Sequence, residues 1–156
     1  MTKNTIFLSV LAVILAVIYV FNFTDWFRRE TIQIIPTIRP GRPSAIPRDP
    51  GTAPVCPVSF AFDGKYRLTA IKVVVAEDLK TNKFPNPLWH MISEQGSAPQ
   101  KSILYGAPIR DMKSAVPRAR PQPLQPDVQY VLMIEAGKVK GQTNFYTREL
   151  VLPQAQ

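Results

Sequence analysis

Apolar and polar positions divide the chain into three stretches of different rhythm. The first is unbroken. Between Ile6 and Phe21 only Ser9 is polar, and no charged residue occurs until Asp25. As a helix, Thr5 to Phe23 would span about 28 Å, close to the thickness of a hydrocarbon core. The second stretch is punctuated by proline at every third or fourth position: Pro36, Pro40, Pro43, Pro47, Pro50, Pro54 and Pro57. That spacing blocks helix and forbids a central strand, and it predicts an extended, semi-rigid stalk. The third stretch, from Val58 onward, carries short apolar runs. The clearest is LQPDVQYVLMIEAG, Leu124 to Gly137. There Val128, Tyr130, Leu132, Ile134 and Ala136 fall on one face, and Gln129, Val131, Met133 and Glu135 on the other. A period of two is that of a half-buried β-strand.

The other runs predict further strands. VSFAF, Val58 to Phe62, leads into Asp63-Gly64, a turn dipeptide. YRLTAIKVVVAE, Tyr66 to Glu77, comes next, and its phase slips at Ala70-Ile71, as at a bulge or a crossing between sheets. Pro87 to Ser93, Lys101 to Gly106 and Thr143 to Leu152 complete the strands, with a turn at Gly137 to Gly141 before the last. Ile109 to Val116 reads as a short helix or an edge strand. No amphipathic helix is found after the apolar segment. Short strands with frequent turns argue for an all-β sandwich or barrel. The predicted organisation is a tail at 1–4, a membrane anchor at 5–27, a proline-rich stalk at 28–57, a β-sandwich domain at 58–153 and a tail at 154–156.

The flanks of the apolar segment suit a membrane interface. Tyr19, Trp26 and Phe27 match head-group depth, and Arg28 and Arg29 can snorkel. A cleaved signal peptide is the competing reading, but FNFTDWF after the apolar run has no small-x-small cleavage pattern. An uncleaved single-pass anchor is therefore expected. Counting Lys and Arg at the two flanks places the C-terminal domain in the cytoplasm. A short basic tail before an apolar run is instead how a signal-anchor starts, and a signal-anchor exports the domain attached to its C-terminal end; export is the expectation. Ser9, Ala12 and Ala16 form a small-residue face on which two anchors can pack as a dimer.

The alternation in the third stretch also carries a resemblance. Leu124, Pro126, Val128, Tyr130, Leu132, Ile134 and Ala136 lie at every second position. This resembles the fibronectin type III pattern at the corner leading into its sixth strand, with Val128 where Thr is common. The resemblance implies a tyrosine corner, the Tyr130 hydroxyl bonding back to backbone near Leu124 while its ring packs in the core. Trp89, on the third predicted strand, is more like the core tryptophan of immunoglobulin domains. The fold expected is thus an all-β sandwich, fibronectin III or immunoglobulin-like, preceded by one N-terminal transmembrane helix. Such a fold hosts many unrelated functions and names none.

Charge and candidate chemistry narrow the picture only slightly. The net charge is +8. Within 58–153, 13 basic residues face eight carboxylates, but no run of five or six like charges occurs, so no nucleic-acid partner is expected. One cysteine, Cys56, excludes an internal disulfide, and one histidine, His90, excludes a histidine-rich metal site. Glu77, Asp78 and Asp63 fall where turns are predicted. No phosphate loop, nucleophile elbow, zinc-protease or calcium-loop motif is present, and neither cofactor nor metal is expected. The one distinctive surface is AVPRARPQP, where Arg118 and Arg120, with Arg110 and Lys113 nearby, form a basic loop before the corner. Loops at sandwich ends are where binding usually resides. The function expected is non-catalytic: a membrane-anchored binding or scaffolding module for a protein partner of the cell envelope. A binder of anionic lipid or polyanion, and an enzyme built from scattered residues, are the rivals.

Overall fold

The computed structural model describes residues 3–23, 31–39 and 55–150, which fall into two units divided after Glu30. The first holds helix α1, Lys3–Phe23, of 21 residues. At 1.5 Å per residue it is about 31 Å long. It is long and apolar enough to cross a membrane. The Ser9 hydroxyl donates to the Thr5 carbonyl at 2.9 Å, so it does not stand unsatisfied where lipid could offer it no partner. The aromatic and arginine flank at 26–29 lies outside the described residues.

The second unit is β-rich. Its elements are β1 (Ile34–Ile38), β2 (Val58–Tyr66), β3 (Ala70–Val75), α2 (Ala76–Thr81), β4 (Trp89–Ile92), β5 (Gln100–Leu104), β6 (Lys113–Ser114), β7 (Gln129–Ala136) and β8 (Val139–Tyr146). They form two antiparallel sheets, one ordered β1-β2-β5 and one ordered β6-β4-β3-β7-β8. One buried cluster draws on both: Phe60, Phe62 and Ile103 from the smaller sheet, with Ile71, Val73, Trp89, Leu132 and Ile134 from the larger. The Phe60 and Phe145 rings meet edge-on, 4.8 Å between centroids.

Strand β1 falls inside the predicted stalk. Ile34↔Phe62 through Ile38↔Val58 pair in register, and the Arg39 N–H donates to the Pro57 carbonyl at 2.9 Å. Thr37 and Ile35 occupy the hydrogen-bonding positions of this ladder, in step with Arg39. Pro36 therefore sits at a position whose nitrogen faces away from β2, and costs the sheet nothing. Val55 bridges to Glu149, and the Cys56 N–H donates to the Arg148 carbonyl at 2.9 Å. Both ends of the proline-rich run are thus tied to the same β-unit. Residues 40–54, with five of the seven prolines, lie outside the described residues, as do residues from Val151 on.

Three further expectations are corrected. Asp63-Gly64 is not a turn; β2 runs through it to Tyr66. The pairing of β2 with β5 shifts register between Ala61 and Tyr66, and the Tyr66 hydroxyl donates to Asp63 Oδ1 at 3.0 Å, so the dipeptide serves a bulge. The expected strand to Glu77 ends at Val75. Glu77 and Asp78 open the six-residue helix α2, where negative charge suits a helix N-terminus. The β7–β8 turn is only Gly137-Lys138, because Ala136 already pairs with Val139; Gly137 takes φ 61°, as the first position of a type II′ turn requires. The phase slip at Ala70-Ile71 comes directly after the crossing, since residues 67–69 carry the chain from one sheet to the other. Ile109 to Val116 holds the short edge strand β6.

Candidate functional site

The corner residues are structural and well placed. Tyr130 is buried on β7, and its hydroxyl accepts the Gln125 N–H at 2.8 Å, one residue past the buried Leu124. Its ring lies 5.6 Å from that of Phe145. Pro126 and Asp127 make the turn, with Asp127 at φ 60° and its N–H donating to the Thr147 carbonyl at 3.1 Å. Trp89 is buried and meets Tyr105 edge-on at 5.3 Å, and the Tyr105 hydroxyl donates to the Gln122 carbonyl at 2.8 Å. Burial raises the Tyr130 phenol above its usual range, opposed by the Gln125 N–H, which favours phenolate. Tyr105 is raised too, by burial first and then by the proximity of Tyr130.

The four basic residues do not act as one cluster in the backbone. Arg110 is exposed in a turn closed by Met112 N–H donating to the Ile109 carbonyl at 3.2 Å. Lys113 opens β6, paired with Ile92. Arg118, at φ 64°, and Arg120 are exposed in the next loop, whose turn closes with Ala119 N–H donating to the Val116 carbonyl at 3.1 Å. Lys113 belongs with other residues: it lines an open pocket of about 620 Å³ together with Arg67, Glu94 and Asp111. No ion pair joins these four charges to one another. The sequence offered no sign of this pocket, because Arg67 and the 93–98 turn meet β6 only through tertiary folding.

The buried Ser97 and Thr147 are committed to architecture. Ser97 Oγ accepts the Leu68 N–H at 3.0 Å and donates to the Ala98 carbonyl at 2.8 Å. Thr147 Oγ1 donates to the Cys56 carbonyl at 2.8 Å. Cys56 itself is buried. His90 faces Lys72 across the β3–β4 ladder, and burial, then the Lys72 charge, holds its imidazole below the usual range. Among the described residues no three His, Cys, Asp or Glu side chains are grouped to hold a metal ion.

One exposed side chain escaped the sequence reading. Phe84, between α2 and β4, is 78% exposed, more than any other large apolar residue described. Its N–H donates to Asn82 Oδ1 at 3.0 Å, and Pro85 after it is buried. An aromatic set among Asn and Pro, outside any alternation, was the available signal. Compared with known proteins, the chain matches no family model, no curated protein and no solved structure.

Proposed function

We propose that this protein is a single-pass, signal-anchored module whose β-domain, a sandwich of the fibronectin III or immunoglobulin kind, binds a protein partner of the cell envelope without catalysing a reaction. The observation that carries this reading is the covalent union of an apolar helix of membrane-spanning length with a separately packed β-unit. The tyrosine corner and the cluster shared by two antiparallel sheets support the sandwich. The use of Ser97, Thr147, Tyr105 and Tyr130 as backbone ties supports a non-catalytic role. In this reading the small-residue face of Ser9, Ala12 and Ala16 lets anchors dimerise.

Orientation is the first test. Lys138 is exposed in the β7–β8 turn and Cys56 is buried, so Lys138→Cys in a Cys56→Ser background gives one reporter thiol. Labelling of intact cells by a membrane-impermeant maleimide is the expected result. Labelling only after permeabilisation would put the domain in the cytoplasm and remove the envelope partner. The anionic-lipid rival predicts binding to phosphatidylglycerol vesicles that collapses by roughly tenfold or more between low and physiological salt; the proposal predicts little vesicle binding by the β-unit at either.

A further inference from the structure

We propose that Phe84 is the anchor of a docking surface for an acidic partner protein, formed by the loop after α2 together with the basic loop of Arg118 and Arg120; this deepens the proposed function and rests on it. Two loops flank the start of β4. In the first, the Asn82 N–H donates to the Asp78 carbonyl at 2.8 Å, and the Leu88 N–H donates to Val73 at 2.8 Å. With Pro85 buried between them, residues 82–88 are clamped at both ends, and the phenyl ring is held outward. In the second, the Ala115 N–H donates to His90 at 3.0 Å and the Gln122 N–H to Leu88 at 2.9 Å. Leu88 is therefore shared, and the basic loop is stitched beside the loop that carries Phe84.

A solvated phenyl ring on a loop tied at both ends leaves apolar surface in water that a partner can bury without ordering the loop first. Aromatic residues, phenylalanine among them, are enriched at the cores of protein interfaces. Val116, 58% exposed, adds apolar area on the second loop. The two loops and the helix before them carry more cations than carboxylates: Lys80, Lys83, Arg118 and Arg120 against Glu77 and Asp78. Lys83 lies 5.9 Å from the Phe84 ring centroid, and none of the four cations is paired with a described carboxylate. Unpaired cations on the loops beside an apolar side chain select an acidic surface and steer its approach. Inserting the ring into lipid would strip water from the exposed Asn82 and Asn86, which a wet protein interface need not do, so the surface suits a protein better than a membrane.

The test places the photoreactive residue benzoylphenylalanine at Phe84, at Arg118, at Arg110 and at Lys138 in turn, in the full chain in its own membrane. Positions 84 and 118 are expected to give the same protein adduct, with a net negative charge in the crosslinked stretch of the partner. Arg118→Glu with Arg120→Glu should lower the adduct at position 84 at least tenfold while leaving the melting curve unchanged. Phe84→Ala should do the same to the adduct at 118. Adducts at 84 and 118 to lipid, to a second copy of the chain or to a basic stretch would overturn the proposal, as would no adduct at either. A protein adduct confined to Arg110 would overturn this surface and leave the protein-binding reading standing; no protein adduct at any position would remove both.

Discussion

At Tyr130 the ring and the hydroxyl act on different parts of the chain. The ring fills the core beside Phe145, and the hydroxyl pins the loop before β7 through the Gln125 N–H. Tyr130→Phe keeps the ring and removes that tie. It should lower stability by about 1–2 kcal/mol. The check is a urea midpoint shift with unchanged slope; an unchanged midpoint would mean that Pro126 and Asp127 hold the corner unaided. His90 supplies a pH test. Its folded-state affinity for protons is depressed, so the unfolded chain binds the proton more readily, and stability is complete above the ordinary imidazole range and lost as pH falls through it. Melting temperature should fall between pH 7 and 5, and His90→Gln should flatten that slope. An identical slope in the variant would assign the effect elsewhere. At this scale the sequence was informative wherever one residue carried the signal, as at Tyr130 and Trp89. It was silent at Arg67 and Phe84, whose settings depend on distant segments.

Elements were legible in proportion to the regularity of their patterns. Strand β7 buries Tyr130, Leu132 and Ile134 as its alternation predicts, but Val131 on the opposite face is buried too, so only one of its faces could be read directly. Strand β1 could not be, because Pro36 resembles the prolines beyond it; only the direction in which its nitrogen points makes it harmless. Helix α2 is hidden behind the β-branched run Val73 to Val75, and its six residues bury none of their side chains. The extent of β8 was masked by Gly141, read as part of a turn. Its role is different: a Cβ there would stand 2.7 Å from the Ile32 carbonyl oxygen and 2.9 Å from Ile32 Cβ. That close approach lets the chain before β1 run beside β8, with the Ile32 N–H donating to the Lys140 carbonyl at 3.2 Å. Gly141→Ala should push Ile32, which is buried, out of place and cost about 1–3 kcal/mol. Thermal unfolding measures this, and a variant as stable as the parent would show that residues 31–32 do not press on β8.

In the whole molecule, an apolar helix and a β-unit are joined in one chain, and sequence alone showed both. What it did not show is that the proline-rich run begins and ends on the same sheet. Proline spacing reports local stiffness, whereas the return of the chain is fixed by the pairing of β1 with β2. One result is a molecule that keeps its anchorage after its chain has been broken. A protease site inserted at Ser44 would, when cut, separate the helix and β1 from everything after them. If residues 28–57 were a simple tether, the larger piece would be shed into the soluble fraction at once. With the Ile34–Ile38 ladder in place, the nicked halves behave as a complementing pair, and the larger piece should sediment with membranes until urea parts the strands. Release of the β-unit by a cut at this point would then require a second event, the withdrawal of one edge strand.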